Sequence, residues 1–169
     1  MILVIDAFNL IYKIEGLDEC MYRGDLTGAM QGLRQQLKSW LQKQKKVKEC
    51  HVFFDGKRKN ADETRRSQDG SLQLYYSHDL SADHLIKEFI NSNARPGELW
   101  VVSSDKQIRL HAKKHRCHGY TAEEFAGVLH SPAARSRAGS DAETDSKPEQ
   151  DHAEIEYWNQ VFLKRGKQN

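Results

Sequence analysis

The chain has 169 residues, 38% of them apolar and 30% charged, with 26 Lys and Arg against 24 Asp and Glu for a net charge of +2. That length fits one domain with a core large enough to stand without disulfides, and so small a net charge does not by itself call for a nucleic-acid partner. Cys20, Cys50 and Cys117 are odd in number and widely spaced, which argues against a disulfide framework and for buried thiols in a reducing compartment.

Met1-Ile-Leu-Val-Ile-Asp6 is a short apolar run that stops on a carboxylate, the pattern of a strand buried on both faces of a parallel sheet. The run is too short for a secretory signal and no later run could span a bilayer, so a cytoplasmic protein without a membrane partner is expected. Ligands of open α/β sheets bind beyond the carboxyl ends of the strands, which puts Asp6, and Asn9 one turn on, where chemistry would be placed. The plain structural role for Asp6 is to cap the following helix. Residues 8–14 read as a short helix or turn, and Leu17 to Gly24 shows no period and reads as loop.

From Asp25 the apolar positions Leu26, Met30, Leu33, Leu37 and Trp40/Leu41 alternate in spacing between four and three, predicting an amphipathic helix to about residue 45. Lys38, Lys43, Lys45, Lys46 and Lys48 at its far end either favour the helix C-terminus or face phosphate. Cys50-His-Val-Phe-Phe-Asp55-Gly56 is a second apolar strand ending on an Asp, and Gly56 suits Asp55 to a turn. Residues 57–70 are basic and aperiodic and read as one long loop, carrying Lys57, Arg58, Arg65 and Arg66. Leu72–Tyr76 is a third strand, and Ser81 caps a helix with Leu85, Ile86, Phe89 and Ile90 inward and Asp83 in its first turn.

Pro96-Gly97 makes a turn into a fourth strand that ends at Ser103-Ser104-Asp105, followed by a helix from about Lys106 to Lys114. A weak fifth strand near Cys117–Tyr120 leads to a helix capped by Thr121. Strands and helices alternate, so the fold class is α/β, a three-layer sandwich around a mostly parallel sheet of about five strands. The domain spans residues 1–130. Residues 131–151 are small and polar, a linker, and residues 152–169 regain a stripe of Ile155, Trp158 and Phe162, a helical tail.

Asp6, Asp55 and Asp105 each end a predicted strand, and Asp83 opens a helix after another. Neighbouring strand ends lie about 5 Å apart, so these carboxylates can converge, and converging carboxylates call for a cation. An all-oxygen set suits Mg²⁺ or Mn²⁺, and the chemistry expected of it is metal-assisted phosphodiester hydrolysis. His111, His115, Cys117 and His118 offer a competing zinc motif, but the predicted helix ends near residue 114 and points them apart. Asp79 is a spare acid. Tyr12, Tyr75 and Tyr76 could stack bases or pack at strand ends.

Ile5-Asp6-Ala7-Phe8-Asn9-Leu10-Ile11 resembles the (V/I)-I-D-G-Y-N-V-I opening of NYN-domain nucleases, a PIN-like branch that includes the YacP-type bacterial proteins. Phe53-Phe54-Asp55-Gly56 is similar to that family's V-F-D-G, Ser81-Ala82-Asp83 to its T-A-D-D, and Val101-Val102-Ser103-Ser104-Asp105 to its V-V-T-S-D. The resemblance covers about residues 1–130, with a looser likeness in the basic end at Lys164-Arg165-Gly166-Lys167.

It implies a metal-dependent endoribonuclease, with Asp6, Asp83 and Asp105 as metal ligands and catalytic groups, and Asn9 and Ser104 as supporting polar groups near the phosphate. RNA is the implied partner, with ribosome-associated mRNA as the target the YacP likeness suggests. Lys57, Arg58, Arg65, Arg66, Lys106 and Arg109 would bind its phosphates with little sequence readout. His84 and Lys87 stand where the family often has acids, and Ala7 and Phe8 replace Gly and Tyr. An RNA-binding adaptor of the same fold without catalysis is the alternative those departures raise. A phosphatase or nucleotide-binding Rossmann-type domain fits less well, since no second Asp follows Asp6 by two residues and no Gly-rich loop follows the first strand.

Overall fold

A computed structural model describes residues 1–56, 65–78 and 80–130, with Arg65 as backbone alone. The expected linker and tail lie outside those residues, as do Lys57, Arg58 and Asp79.

Six strands form the sheet: β1 (Ile2–Asp6), β2 (Glu49–Phe54), β3 (Arg65–Asp69), β4 (Leu72–Tyr76), β5 (Leu99–Val102) and β6 (His118–Tyr120). Their order is β3-β4-β2-β1-β5-β6, parallel throughout except for β3, which pairs antiparallel with β4. The helices are α1 (Ala7–Ile11), α2 (Leu17–Tyr22), α3 (Leu26–Leu41), α4 (Ala82–Ser92), α5 (Lys106–Lys114) and α6 (Ala122–His130), with a 3-10 turn at Pro96–Glu98. The expected mostly parallel α/β fold is present, with one strand more than the pattern of apolar residues indicates.

That strand, β3, reads Arg-Arg-Ser-Gln-Asp and carries no apolar residue, so no hydrophobic period could reveal it. It forms as an edge strand, where both faces need not be buried, and Gly70 at φ +62° turns it directly into β4. Arg34 and Lys38, on α3, both bind the Asp69 carboxylate and tie the hairpin to the helix. The two cations hold Asp69 below the usual carboxylate range.

α2, expected as loop, is a six-residue helix too short to show a period. It starts after Gly16 at φ +85°, whose backbone N–H donates to Asp18 Oδ1 at 3.1 Å. α3 ends four residues sooner than its lysine-rich continuation suggests. The remaining caps follow the sequence: Ser81 Oγ accepts from the His84 N–H at 3.2 Å, and Thr121 and Glu124 form a reciprocal capping box at the start of α6.

One face of the sheet offers Ile2, Val4, Phe53, Leu99 and Val101 to Ala82, Ile86 and Ile90 of α4 and Ile108 and Ala112 of α5, all at most 3% exposed. Each fully buried Ile in that layer contributes about 1.5–3 kcal/mol by leaving water. The opposite face holds α1, with Phe8 edge-on to Phe54, and joins α3 to α6 through Trp40 and Phe125. Two helical layers thus enclose the sheet, and the carboxyl ends of β1, β2, β4 and β5 share one rim. Among the described residues no helix is long and apolar enough to cross a membrane. Cys20, Cys50 and Cys117 are free thiols; Cys50 is buried, which pushes its thiol up to about 12, and the other two are half-buried.

Candidate active site

β1 and β5 are neighbours in register, Ile5 opposite Val102, so the residues that follow, Asp6 and Ser103, meet at the rim. Both are buried, Asp6 at 7% exposure and Ser103 at 0%. The Ser103 hydroxyl donates to Asp6 Oδ2 at 3.1 Å and accepts the Asp105 backbone N–H at 3.1 Å. One hydroxyl therefore fixes the relation between the first and the last acid of the predicted set. From the other side Asn9 grips Asp6 twice, its side-chain amide donating to Oδ2 at 2.7 Å and its backbone N–H to Oδ1 at 3.3 Å.

Burial pushes the Asp6 carboxyl above its ordinary range. The Asn9 backbone N–H, the Ser103 hydroxyl and the Asn9 amide hold it partly down, and the charge of Asp105 pushes it further up. Asp6 and Asp105 thus feel one another. Asp105 itself is exposed, and its Oδ1 caps α5 by accepting from the Gln107 and Ile108 backbone N–H groups at 2.7 and 3.0 Å. Both acids perform the structural capping role that an Asp after a strand suggests, and that role aims them at the rim.

Asp83 sits in the first turn of α4, on the same sheet face, with Oδ2 accepting from Lys87 Nζ at 2.8 Å. Its Oδ1 is enclosed by protein and has no hydrogen-bond partner. Lys87, one of the two residues standing where the resembled family often has acids, thus occupies one oxygen of Asp83. His84 points elsewhere, pairing with Glu88 at 3.4 Å.

Asp55 is tied to the β4 end, its Oδ1 accepting from the buried Ser77 hydroxyl at 2.9 Å while the same hydroxyl accepts the Gly56 N–H at 3.2 Å. Asp55 thus ties the ends of β2 and β4 together. Ser104 takes a different path from Ser103: its hydroxyl donates to Glu123 and accepts the Ala122 N–H at 3.0 Å, joining the β5 end to α6. Glu123, also paired with Lys13 at 2.9 Å, is held down at about 2, first by the Ser104 hydroxyl and then by Lys13. The sequence pattern singled out Ser104, but Ser103 is the hydroxyl at the acids. The alternation of the strand could have shown it, since Ser103 shares the parity of Val101 and faces α4 and α5.

Lys106 and Arg109 lie on the exposed side of α5, where with Lys113 they line a groove of about 380 Å³ running to Cys117 and Gly119 on the edge beside β6. Arg66 is exposed on β3 at the opposite edge of the sheet. His111 and His115 stand with ring centres 4.5 Å apart, but His111 binds Asn91 at 2.8 Å and Cys117 turns its thiol to the His115 carbonyl. Among the described residues no three His, Cys, Asp or Glu side chains come together as a ready-made metal cage. What the rim does offer a cation is a buried carboxylate, Asp6, that has no cationic partner among the described residues and feels the charge of Asp105; Asp83, in the first turn of α4, adds an enclosed oxygen without a hydrogen bond. Those are features a hard divalent ion satisfies.

Two crystal structures of Rae1 (YacP) from Bacillus subtilis share this fold. One, of a tryptophan-to-leucine mutant, has a TM-score of 0.59 at 16% identity and covers 79% of each chain. The other has a TM-score of 0.60 at 15% identity, covering 98% of this chain and 83% of that one. No curated protein matches the chain. A family model described as the YacP-like NYN domain matches residues 3–166, nearly the whole length. With its sheet order, its rim of strand-end acids and this match, the chain belongs to the YacP-like NYN domain family.

Proposed function

We propose that the protein is an endoribonuclease that hydrolyses RNA phosphodiester bonds at the rim around Asp6, with Mg²⁺ or Mn²⁺ as cofactor. The observation that carries this reading is the Asp6–Ser103–Asp105 arrangement: a buried carboxylate bonded to a hydroxyl that also accepts the backbone N–H of a second acid, at the strand end where this fold places ligands. Family membership supplies the nuclease class.

Asp6, Asp105 and Asp83 would hold the cation, which when bound supplies Lewis-acid polarisation of a phosphoryl oxygen and a more acidic water. Asn9 and Ser103 orient Asp6 by donating to it and work against the burial that raises its pKa. Lys87, paired with Asp83, brings a positive charge to the cleft and lowers the repulsion that a phosphate would meet there. Lys106 and Arg109, with Lys57, Arg58, Arg65 and Arg66, would bind flanking phosphates through charge alone, so that affinity falls with salt and sequence is read weakly. Ser104 acts one step away, fixing α6 to the rim through Glu123.

Incubating labelled single-stranded and structured RNA with Mg²⁺, Mn²⁺ or EDTA tests this reading. Metal-dependent internal cuts leaving 5′-phosphate and 3′-hydroxyl ends are expected, and loss of cutting in Asp105→Asn. Equal cutting by that variant, or cutting unaffected by EDTA, would refute it. The finer target proposed is mRNA on ribosomes; a protein that stays at the top of a low-salt gradient, apart from subunits and polysomes, would count against that target.

A further inference from the structure

The sheet register places a row of side chains on the same face as Asp6. Asp6 pairs with Phe53, Phe53 with Tyr75, and Tyr75 with Arg66. Directly paired residues share a face, so the row leads from the candidate catalytic acid outward to the sheet edge. Two strand spacings separate Asp6 from Tyr75, about 10 Å. Between the outer part of the row and α4 a groove of about 510 Å³ opens, lined among others by Phe53, Tyr75, Arg66, Leu85, Glu88 and Phe89.

The groove is organised around a fixed ring. Tyr75 stacks on Phe53 with ring centres 4.4 Å apart and planes 10° from parallel, and Phe89 stands edge-on to both. The Tyr75 hydroxyl bonds His51 Nδ1 at 3.0 Å, and Nε2 of the same ring bonds Glu49 at 3.0 Å. His51 is buried, so this chain of three polar groups sets the ring orientation from beneath. Above it, the Arg66 guanidinium lies 5.4 Å from the Tyr75 ring centre. Tyr12 and Tyr76 are placed otherwise: Tyr12 packs against Tyr22, and Tyr76 stacks on Phe54 on the opposite face.

We infer that this groove takes one unpaired nucleobase of the RNA, beside the scissile phosphate, stacked on the Tyr75 face that Phe53 leaves uncovered, with Arg66 moving from over the ring to the base or the adjoining phosphate. An immobilised aromatic ring and a planar cation match the flat apolar faces and the electron-rich edges of a base. Arg66 gives the groove mouth the positive charge that the strand's phosphates complement, and the volume admits a nucleotide. This inference rests on the proposed RNA substrate. It adds a stated preference: single-stranded over duplex RNA, because a paired base cannot enter.

The test is binding of a short single-stranded RNA carrying 2-aminopurine, in EDTA over a series of salt concentrations, to the full chain and to Tyr75→Leu, Tyr75→Phe and Arg66→Gln, each checked for folding by circular dichroism. Wild type should quench the fluorophore. Tyr75→Leu should lose roughly five- to a hundredfold in affinity together with the quench. Tyr75→Phe, which keeps the ring, should retain both, and Arg66→Gln should weaken binding and flatten its salt dependence by about one unit. No quench with wild type, or affinity and quench unchanged in both Tyr75→Leu and Arg66→Gln, would overturn the inference. Metal-dependent cleavage by the same wild-type preparation shows separately whether the nuclease reading stands.

Discussion

Ser103→Ala is the perturbation that bears most closely on how the site is built. The serine is fully buried, and its hydroxyl both donates to a buried carboxylate and accepts a backbone N–H. Losing the donor to an ionised oxygen costs about 1.5–3 kcal/mol, and stranding the Asp105 N–H adds about 0.5–1.5, for a total of about 2–4.5 kcal/mol. For a domain of this size each kcal/mol moves the melting temperature by roughly 3 °C. Urea and thermal unfolding at neutral pH measure it.

The pH dependence follows from Asp6. Its folded pKa is raised, and the Ser103 hydroxyl is one of the groups restraining that rise, so the alanine variant should raise it further. The destabilisation is then complete above the variant's folded pKa and shrinks as pH falls through it, where the carboxyl is neutral in both proteins. A loss below about 0.5 kcal/mol at neutral pH, or one that is the same in acid, would refute the role assigned to Ser103.

Asp6→Asn should raise the melting temperature of the metal-free protein at pH 7 to 8 while abolishing cleavage, because a buried charge whose folded pKa is raised costs stability above that pKa and the amide removes the cost. A lower melting temperature across that range would contradict this. Asp69→Asn should cost on the order of 1 kcal/mol by uncoupling Arg34 and Lys38 from the β3–β4 hairpin. Asp69 has a depressed pKa, so its contribution is present above the unfolded carboxylate value and lost as pH falls through the folded one. Wild type and variant should therefore converge in strong acid when unfolding is followed by circular dichroism. Gly70→Ala, at φ +62°, should cost about 1 kcal/mol by the strain of a left-handed residue in a two-residue turn, read in the same assay.

Most of the scaffold was legible because its signals are local or periodic. The apolar runs before Asp6, Asp55 and Asp105 are strands buried on both faces, and Ser81 and Thr121 announce helices by the donors that they satisfy. β3 escaped because an edge strand of arginines, serine and glutamine has no face to bury. Its trace lay instead in Gly70-Ser71, a Gly-first hairpin dipeptide at the end of the apparent loop. α2 escaped because six residues complete too few turns to repeat.

At the site, sequence could name the residues at strand ends but could not say which oxygen meets which donor. Ser103 and Ser104 are adjacent and chemically identical; the pleat sends one to Asp6 and the other to Glu123. The pairing of Lys87 with Asp83 follows from their spacing of four on α4 and was open to the same reading. The Tyr75 groove needed the register, since Asp6, Phe53, Tyr75 and Arg66 come from four separate strands.

The central claim is hydrolysis at Asp6, and the most direct measurement is Mn²⁺-dependent cleavage of an end-labelled RNA by wild type and Asp6→Asn under single-turnover conditions, alongside RNA binding by both in EDTA. The expected result is defined internal cuts by wild type, a loss of at least about a hundredfold in rate for the variant, and binding equal to within a few-fold. Cleavage by Asp6→Asn at the wild-type rate would contradict the claim. So would wild-type protein that binds RNA without cutting it, free or on translating ribosomes; it would make the chain an adaptor of the same fold.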